Sequence, residues 1–227
     1  MTIAERLRSI KAGLPEGVEL VAVSKYHPET DIEEAYRAGQ RVFGENLAQE
    51  LARKAQTLPR DIRWHFIGHL QRNKVKLIAP FVSLVEGVDS LELLRALNRE
   101  ACRLGRTIDC LLQIHIAKEE TKFGLTPSEC LRLLEGSEWR TLSGVRLRGL
   151  MCIATNTDDR EQILSEFNAV AALFEQIRLR FFQDIPSFNI RSWGMSDDYP
   201  LAILSGSNMV RIGTAIFGSR PSKPALS

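Results

Sequence analysis

From residue 18 to residue 217 the chain alternates short apolar runs with longer amphipathic ones, eight short runs in all. The short runs lie at 18–25, 41–46, 63–68, 83–88, 109–116, 145–153, 188–195 and 209–217 and read as strands. The segments between them predict helices over 32–38, 47–58 and 73–79. Four more follow: one capped by Asp89 or Ser90 and running to Leu104, and one capped by Thr126, with Pro127 at its first position, and running to about Glu135. A third is opened by Asp158 or Asp159 and ends near Phe182, and a fourth is opened by Asp197 or Asp198 and ends at Leu204. The third carries the stripe Ile163, Phe167, Val170, Phe174, Ile177, and the 47–58 helix carries Leu47, Leu51 and Ala55 in register. Parallel strands need long crossovers, so regular strand–helix alternation predicts a parallel sheet. Eight such units in a chain of 227 residues predict a closed (β/α)8 TIM barrel of the α/β class. The alternative is a doubly wound open sheet, but no GxGxxG follows the first strand. No helix is expected after Gly218; an extra N-terminal helix, capped by Thr2 and carrying Ile3, Leu7 and Ile10, is expected to cover that place. Residues 1–218 read as one domain and 219–227 as a flexible tail.

Composition excludes several classes of function. A net charge of +2 with 26% charged residues suggests no nucleic-acid partner. The N-terminus has no uncharged apolar core, so it is not a signal peptide, and no apolar run reaches membrane-spanning length. Cys102, Cys110, Cys130 and Cys152 form no CxxC pair; isolated cysteines fit a reducing, cytoplasmic setting. Cys152 reads as core.

In a TIM barrel the chemistry lies at the C-terminal ends of the strands. The first strand, Val18 to Lys25, puts Val21, Val23 and Lys25 on one face and Val18, Leu20 and Ala22 on the other. Lysines in such places are solvated in most proteins. The alternative is a partly buried amine, desolvated and ready to form a Schiff base with an aldehyde. Opposite it, Ser196 leads into a helix start, while Gly213 lets backbone approach an anion and Thr214 adds a hydroxyl. Lysine facing an anion cup suits a phosphorylated aldehyde. Arg211 shares a face with Met209 and Gly213 and is either a surface arginine or a permanent cation in the barrel. His65 and His69 have metal-like spacing, but on a strand end and without a third ligand. His115 reads as an interior hydrogen-bonding residue, Trp193 as stacking on a ligand or, in preference, packing under a helix, and Lys118, Glu119, Glu120 and Lys122 as a solvated loop face.

Several motifs, in order, carry a resemblance: Val23-Ser-Lys25, Phe43-Gly-Glu-Asn46, His65-Phe-Ile-Gly68 with Leu70-Gln71 and Asn73-Lys74, Lys118-Glu119 with Lys122 and Gly124, Arg148-Gly-Leu-Met151, Gly194-Met-Ser-Asp197, and Val210 to Gly218. From about residue 5 to 220 the chain resembles the pyridoxal phosphate homeostasis protein family, single-domain relatives of the alanine racemase barrel. The resemblance implies pyridoxal 5′-phosphate (PLP) held as a Schiff base on Lys25, with Ser196, Gly213 and Thr214 on its phosphate, Arg211 facing the pyridine nitrogen and Asn46 near the ring. It also implies a role in intracellular PLP homeostasis and amino- and keto-acid balance, in which PLP is buffered or delivered to apoenzymes; without the second domain through which the racemases dimerise, a monomer is expected. His69, His115 and Trp193 depart from the family pattern. The rival readings are a PLP-dependent amino-acid racemase and a cofactor-free Schiff-base aldolase. Against robust catalysis stand a permanently protonated Arg211 and the absence of an evident second acid/base among Tyr26, Tyr36 and Tyr199.

Overall fold

A computed structural model describes residues 1–117 and 123–219. The expected strands are β1 (Glu19–Val23), β2 (Val42–Glu45), β3 (Arg63–Phe66), β4 (Leu84–Val88), β5 (Ile108–Ile114), β6 (Val145–Cys152), β7 (Ile190–Ser192) and β8 (Met209–Ile212). Each pairs in parallel with the next, and β8 pairs with β1 from Glu19↔Met209 to Ala22↔Ile212, so the barrel closes. Around it lie α1 (Ile3–Gly13), α2 (Glu29–Arg37), α3 (Ala48–Thr57), α4 (Val75–Ile78), α5 (Leu91–Arg103), α6 (Pro127–Glu135), α7 (Arg160–Phe181), α8 (Tyr199–Leu204) and α9 (Thr214–Phe217). The charged-loop reading of Lys118, Glu119, Glu120 and Lys122 lies outside the described residues, as does the tail beyond Ser219.

The helix starts follow their capping chemistry. Thr2 accepts from the Glu5 amide while Glu5 reaches back to the Thr2 amide, and Thr126 and Glu129 form the same reciprocal pair. Ser90, rather than Asp89, caps α5, and Asp159 caps α7 through the amides of Glu161 and Gln162.

Four expectations are corrected. Thr214–Phe217 is helical rather than part of the last strand, because the chain turns at Gly213; an eighth helix therefore does follow β8. The N-terminal helix packs beside it, with Arg6 Nε donating to the Ile216 carbonyl at 2.6 Å. α2 begins at Glu29 behind Pro28, ahead of the expected start at residue 32; proline has no N–H to leave unpaired there, and Glu29 and Asp31 suit the positive helix start. The 73–79 helix splits into a 3-10 turn, Arg72–Lys74, and the short α4. Finally, α3 faces the barrel with Ala48, Leu51 and Lys54, while Leu47 is 44% exposed. The apolar count had favoured Leu47; a buried lysine takes the inward position instead.

The barrel has two apolar regions. The larger fills the space between strands and helices and includes the whole predicted stripe of α7. The smaller plugs the barrel itself with Val21, Val42, Leu84, Leu111, Met151 and Met209. Full burial of such a side chain contributes about 1.5–3 kcal/mol. One pleat step on, the inward positions turn polar: Glu86 follows Leu84, Arg211 follows Met209, and Ser192 follows Ile190.

Strand β6 meets β7 at Gly149↔Ile190, where a Cβ on Gly149 would fall 1.8 Å from the Ile190 carbonyl oxygen. Gly149→Ala is therefore expected to lower stability by about 3 kcal/mol. Gly13→Ala, in α1 with open space around it, should be neutral or stabilise by up to about 1 kcal/mol. Urea unfolding midpoints of the two variants check both; equal effects would contradict the crowded seam.

Candidate functional site

The polar layer above the plug is built around Arg211, whose guanidinium is 3% exposed. Its Nη1 donates to the Ser192 carbonyl and hydroxyl, both at 2.7 Å, and its Nη2 donates to the Cys152 carbonyl at 2.8 Å. Glu86 lies 3.8 Å away and accepts from the Ser192 hydroxyl at 2.6 Å, while its other oxygen takes the His65 Nδ1–H at 2.8 Å. Burial pushes the Glu86 carboxyl up, but the bond from His65 and the charge of Arg211 outweigh that and hold it below the ordinary glutamate value. Glu86 is thus a fixed anion at neutral pH, and Arg211 is a cation with a fixed orientation.

Above this layer opens a cavity of about 230 Å³ at the C-terminal ends of the strands. Lys25, Ser196, Arg211, Gly213 and Thr214 line it together. Five of the six residues singled out from the sequence therefore meet in one space, although they come from opposite ends of the chain. Asn46 is not among its lining residues; it sits half-buried at the end of β2, tight against Gly68, with its Oδ1 buried and unpaired. Lys25 lies two residues past the end of β1 and is half-buried. Ser196 sits in the turn before α8, and its hydroxyl accepts the Gly213 amide at 3.3 Å, so the two halves of the cup touch. Asp198 accepts the Met195 amide and fixes that turn. Gly213 is crowded from behind, since a Cβ there would lie 3.1 Å from the Val23 carbonyl oxygen.

Other candidates fall elsewhere. His65 is bound to Glu86 inside the barrel, and His69 is exposed, stacks on Phe123 and pairs with Asp89 at 2.9 Å. Among the described residues no three His, Cys, Asp or Glu side chains gather as a metal site. His115 is half-buried past the end of β5. Trp193 is wholly buried in the helix-side core, as packing predicts, and Cys152 is core. A larger groove of about 860 Å³ runs between the 3-10 turn and α5, but among the described residues no lysine lines it, and its Arg95 is fork-paired to Glu138. No helix among the described residues is long and apolar enough to cross a membrane.

Sequence reasoning missed the cavity residues Ile67 and Ile153 and the Glu86 cluster under Arg211. One signal was present: Glu86 interrupts an otherwise apolar strand, where an isolated carboxylate would be costly.

The arrangement places an amine, the hydroxyls of Ser196 and Thr214 and a fixed cation around one cavity. The alanine racemase N-terminal domain model matches residues 1–221. The pyridoxal phosphate homeostasis protein of Pasteurella multocida is 40% identical over 97% of this chain and 98% of its own, and that of Schizosaccharomyces pombe is 40% identical over 91% and 86%. The solved structure of PipY from Synechococcus elongatus, with PLP bound, superposes with a TM-score of 0.86 at 36% identity, covering 96% of this chain and all of PipY. The chain belongs to the alanine racemase N-terminal domain family and, within it, to the pyridoxal phosphate homeostasis proteins.

Proposed function

We propose that this protein holds PLP at the barrel mouth, with Lys25 as the covalent anchor, and serves intracellular PLP homeostasis rather than amino-acid turnover. The observation that carries this reading is the convergence of Lys25, Arg211, Ser196, Gly213 and Thr214 on one cavity. The donor set fits PLP group by group. The cofactor offers an aldehyde, a pyridine nitrogen and a phosphate; the cavity offers an amine, a guanidinium and the hydroxyls of Ser196 and Thr214. PLP supplies an aldehyde for reversible attachment to an amine and an electron-withdrawing ring. Every other task falls to the chain. Ser196 and Thr214 orient the phosphate. Arg211, locked by Ser192, Cys152 and Glu86, faces the ring and keeps its own proton, so it cannot protonate the pyridine nitrogen. The apolar plug shuts water out from below.

The same lining supports weak catalysis at most. It contains no tyrosine: Tyr36 donates to Asp61 on the outer surface, and Tyr26 and Tyr199 are not lining residues. Proton transfer on both faces of a substrate would need a second acid/base opposite Lys25. We read residues 1–218 as a single monomeric domain whose open mouth lets PLP leave for apoenzymes, in the cytoplasm.

Lys25→Ala is expected to fold with unchanged circular dichroism and to lose the borohydride-stable PLP adduct; mass spectrometry placing that adduct on Lys74 instead would overturn the anchor. The anion cup is expected to contribute through charge-assisted hydrogen bonds of about 1.5–3 kcal/mol each. Thr214→Val should therefore weaken PLP about tenfold or more, and unchanged affinity in both Thr214→Val and Ser196→Ala would refute the cup. Incubation of the PLP-loaded protein with L-alanine is expected to yield negligible D-alanine. Robust racemisation abolished by Lys25→Ala would make the protein an enzyme, and failure to reactivate any PLP-dependent apoenzyme would remove delivery from the proposal.

A further inference from the structure

Lys25 lies two residues past the last residue of β1. It occupies, with Tyr26, the two central positions of a turn closed by the His27 amide donating to the Ser24 carbonyl at 3.1 Å. Tyr26 takes a φ of +68°, a conformation that such turns ordinarily assign to glycine or asparagine. Something outside the turn must hold it.

That support comes from α3. Lys54 occupies an inward position of this helix beside Ala48 and Leu51, where the spacing calls for an apolar residue, and its side chain is wholly buried. Its ammonium has three protons and three acceptors: the Ser24 carbonyl at 2.9 Å, Glu45 Oε1 at 2.7 Å and Glu50 Oε1 at 2.7 Å. The Ser24 hydroxyl donates to the same Glu45 oxygen at 2.6 Å. Glu50 Oε1 in turn accepts the Tyr26 amide at 2.8 Å. One cation therefore grips the carbonyl before Lys25 directly and the amide after it through Glu50. A leucine at this position would leave the buried Glu45 carboxylate and the Ser24 carbonyl without their cation. Nor could a leucine hold a strained turn from both ends.

We propose that Lys54 is a positioning residue that aims Lys25 into the cavity through Ser24 and Tyr26. The proposal rests on the reading of Lys25 as the PLP anchor. Glu50 stands at the rim of the cluster with its side chain 14% exposed, so it can be changed while Lys54 keeps Glu45. Three variants separate positioning from mere stability: Glu50→Ala, Glu50→Gln, and Lys54→Met combined with Glu45→Gln. For each, and for the unaltered protein, absorbance titration reads PLP affinity and the pH midpoint of the bound-PLP band, and thermal unfolding is followed without PLP. Glu50→Ala is expected to weaken PLP about three- to tenfold and to move the pH midpoint, with little change in unfolding. Glu50→Gln keeps an oxygen for the Tyr26 amide and should restore most of both. The combined variant should lose tenfold or more. If it does not fold, the two Glu50 variants decide alone. Unaltered affinity and pH midpoint in Glu50→Ala, or losses that glutamine does not restore, overturn the positioning role while leaving Lys25 as the anchor. Failure of the unaltered protein to bind PLP overturns both readings together.

Discussion

Burying a guanidinium inside a barrel is the demand around which this structure is arranged. Removing that charge from water costs several kcal/mol, and the loss is recovered only where the rigid fork of N–H groups finds acceptors in place. Arg211 finds them on β6 and β7, with the Glu86 carboxylate of β4 nearby and His65 of β3 behind it. The seam between β7 and β8 has a single paired register, Ser192↔Met209. The two bonds from Arg211 to Ser192 thus support the weakest part of the ladder while orienting the cation. Removing Glu86 alone would leave a buried cation without its counter-charge, the situation in which such clusters are strongly destabilising.

Height along the barrel separates the roles. The apolar plug makes the lower half rigid and dry. The layer of Arg211, Glu86, Ser192 and His65 forms a charged floor, and above it the cavity is open, with donors supplied by the turns after β1, β7 and β8. Arg211 and Glu86 are attached to strands, and the other polar cavity residues stand on turns braced by buried side chains, Lys54 after β1 and Asp198 after β7.

Particular residues show where one-dimensional reading stops. The run Thr214-Ala-Ile-Phe217 is apolar and reads as strand, but a backbone turn at Gly213, crowded against Val23, sends it into a helix. Leu47 looked inward by hydrophobicity, yet Lys54 took the inward side because Glu45 and the Ser24 carbonyl needed a cation there. Asn46, expected as the last residue of the second strand, lies one position past β2, close against Gly68 and not among the residues lining the cavity.

The sequence alone determined the eight alternating units, their closure into a parallel barrel, the caps at Thr2 and Thr126, and Lys25 at a strand mouth. These depend on periodicity, capping and turn chemistry, which act between residues a few positions apart. Tertiary structure decided which buried charges meet: Arg211 with Glu86 across 125 positions of chain, and Ser24 with Glu45 and Lys54 between a strand and a helix. No local pattern encodes such partners. A charge is stable in the interior only when an opposite charge and enough acceptors arrive with it, and barrel closure is what brings them together.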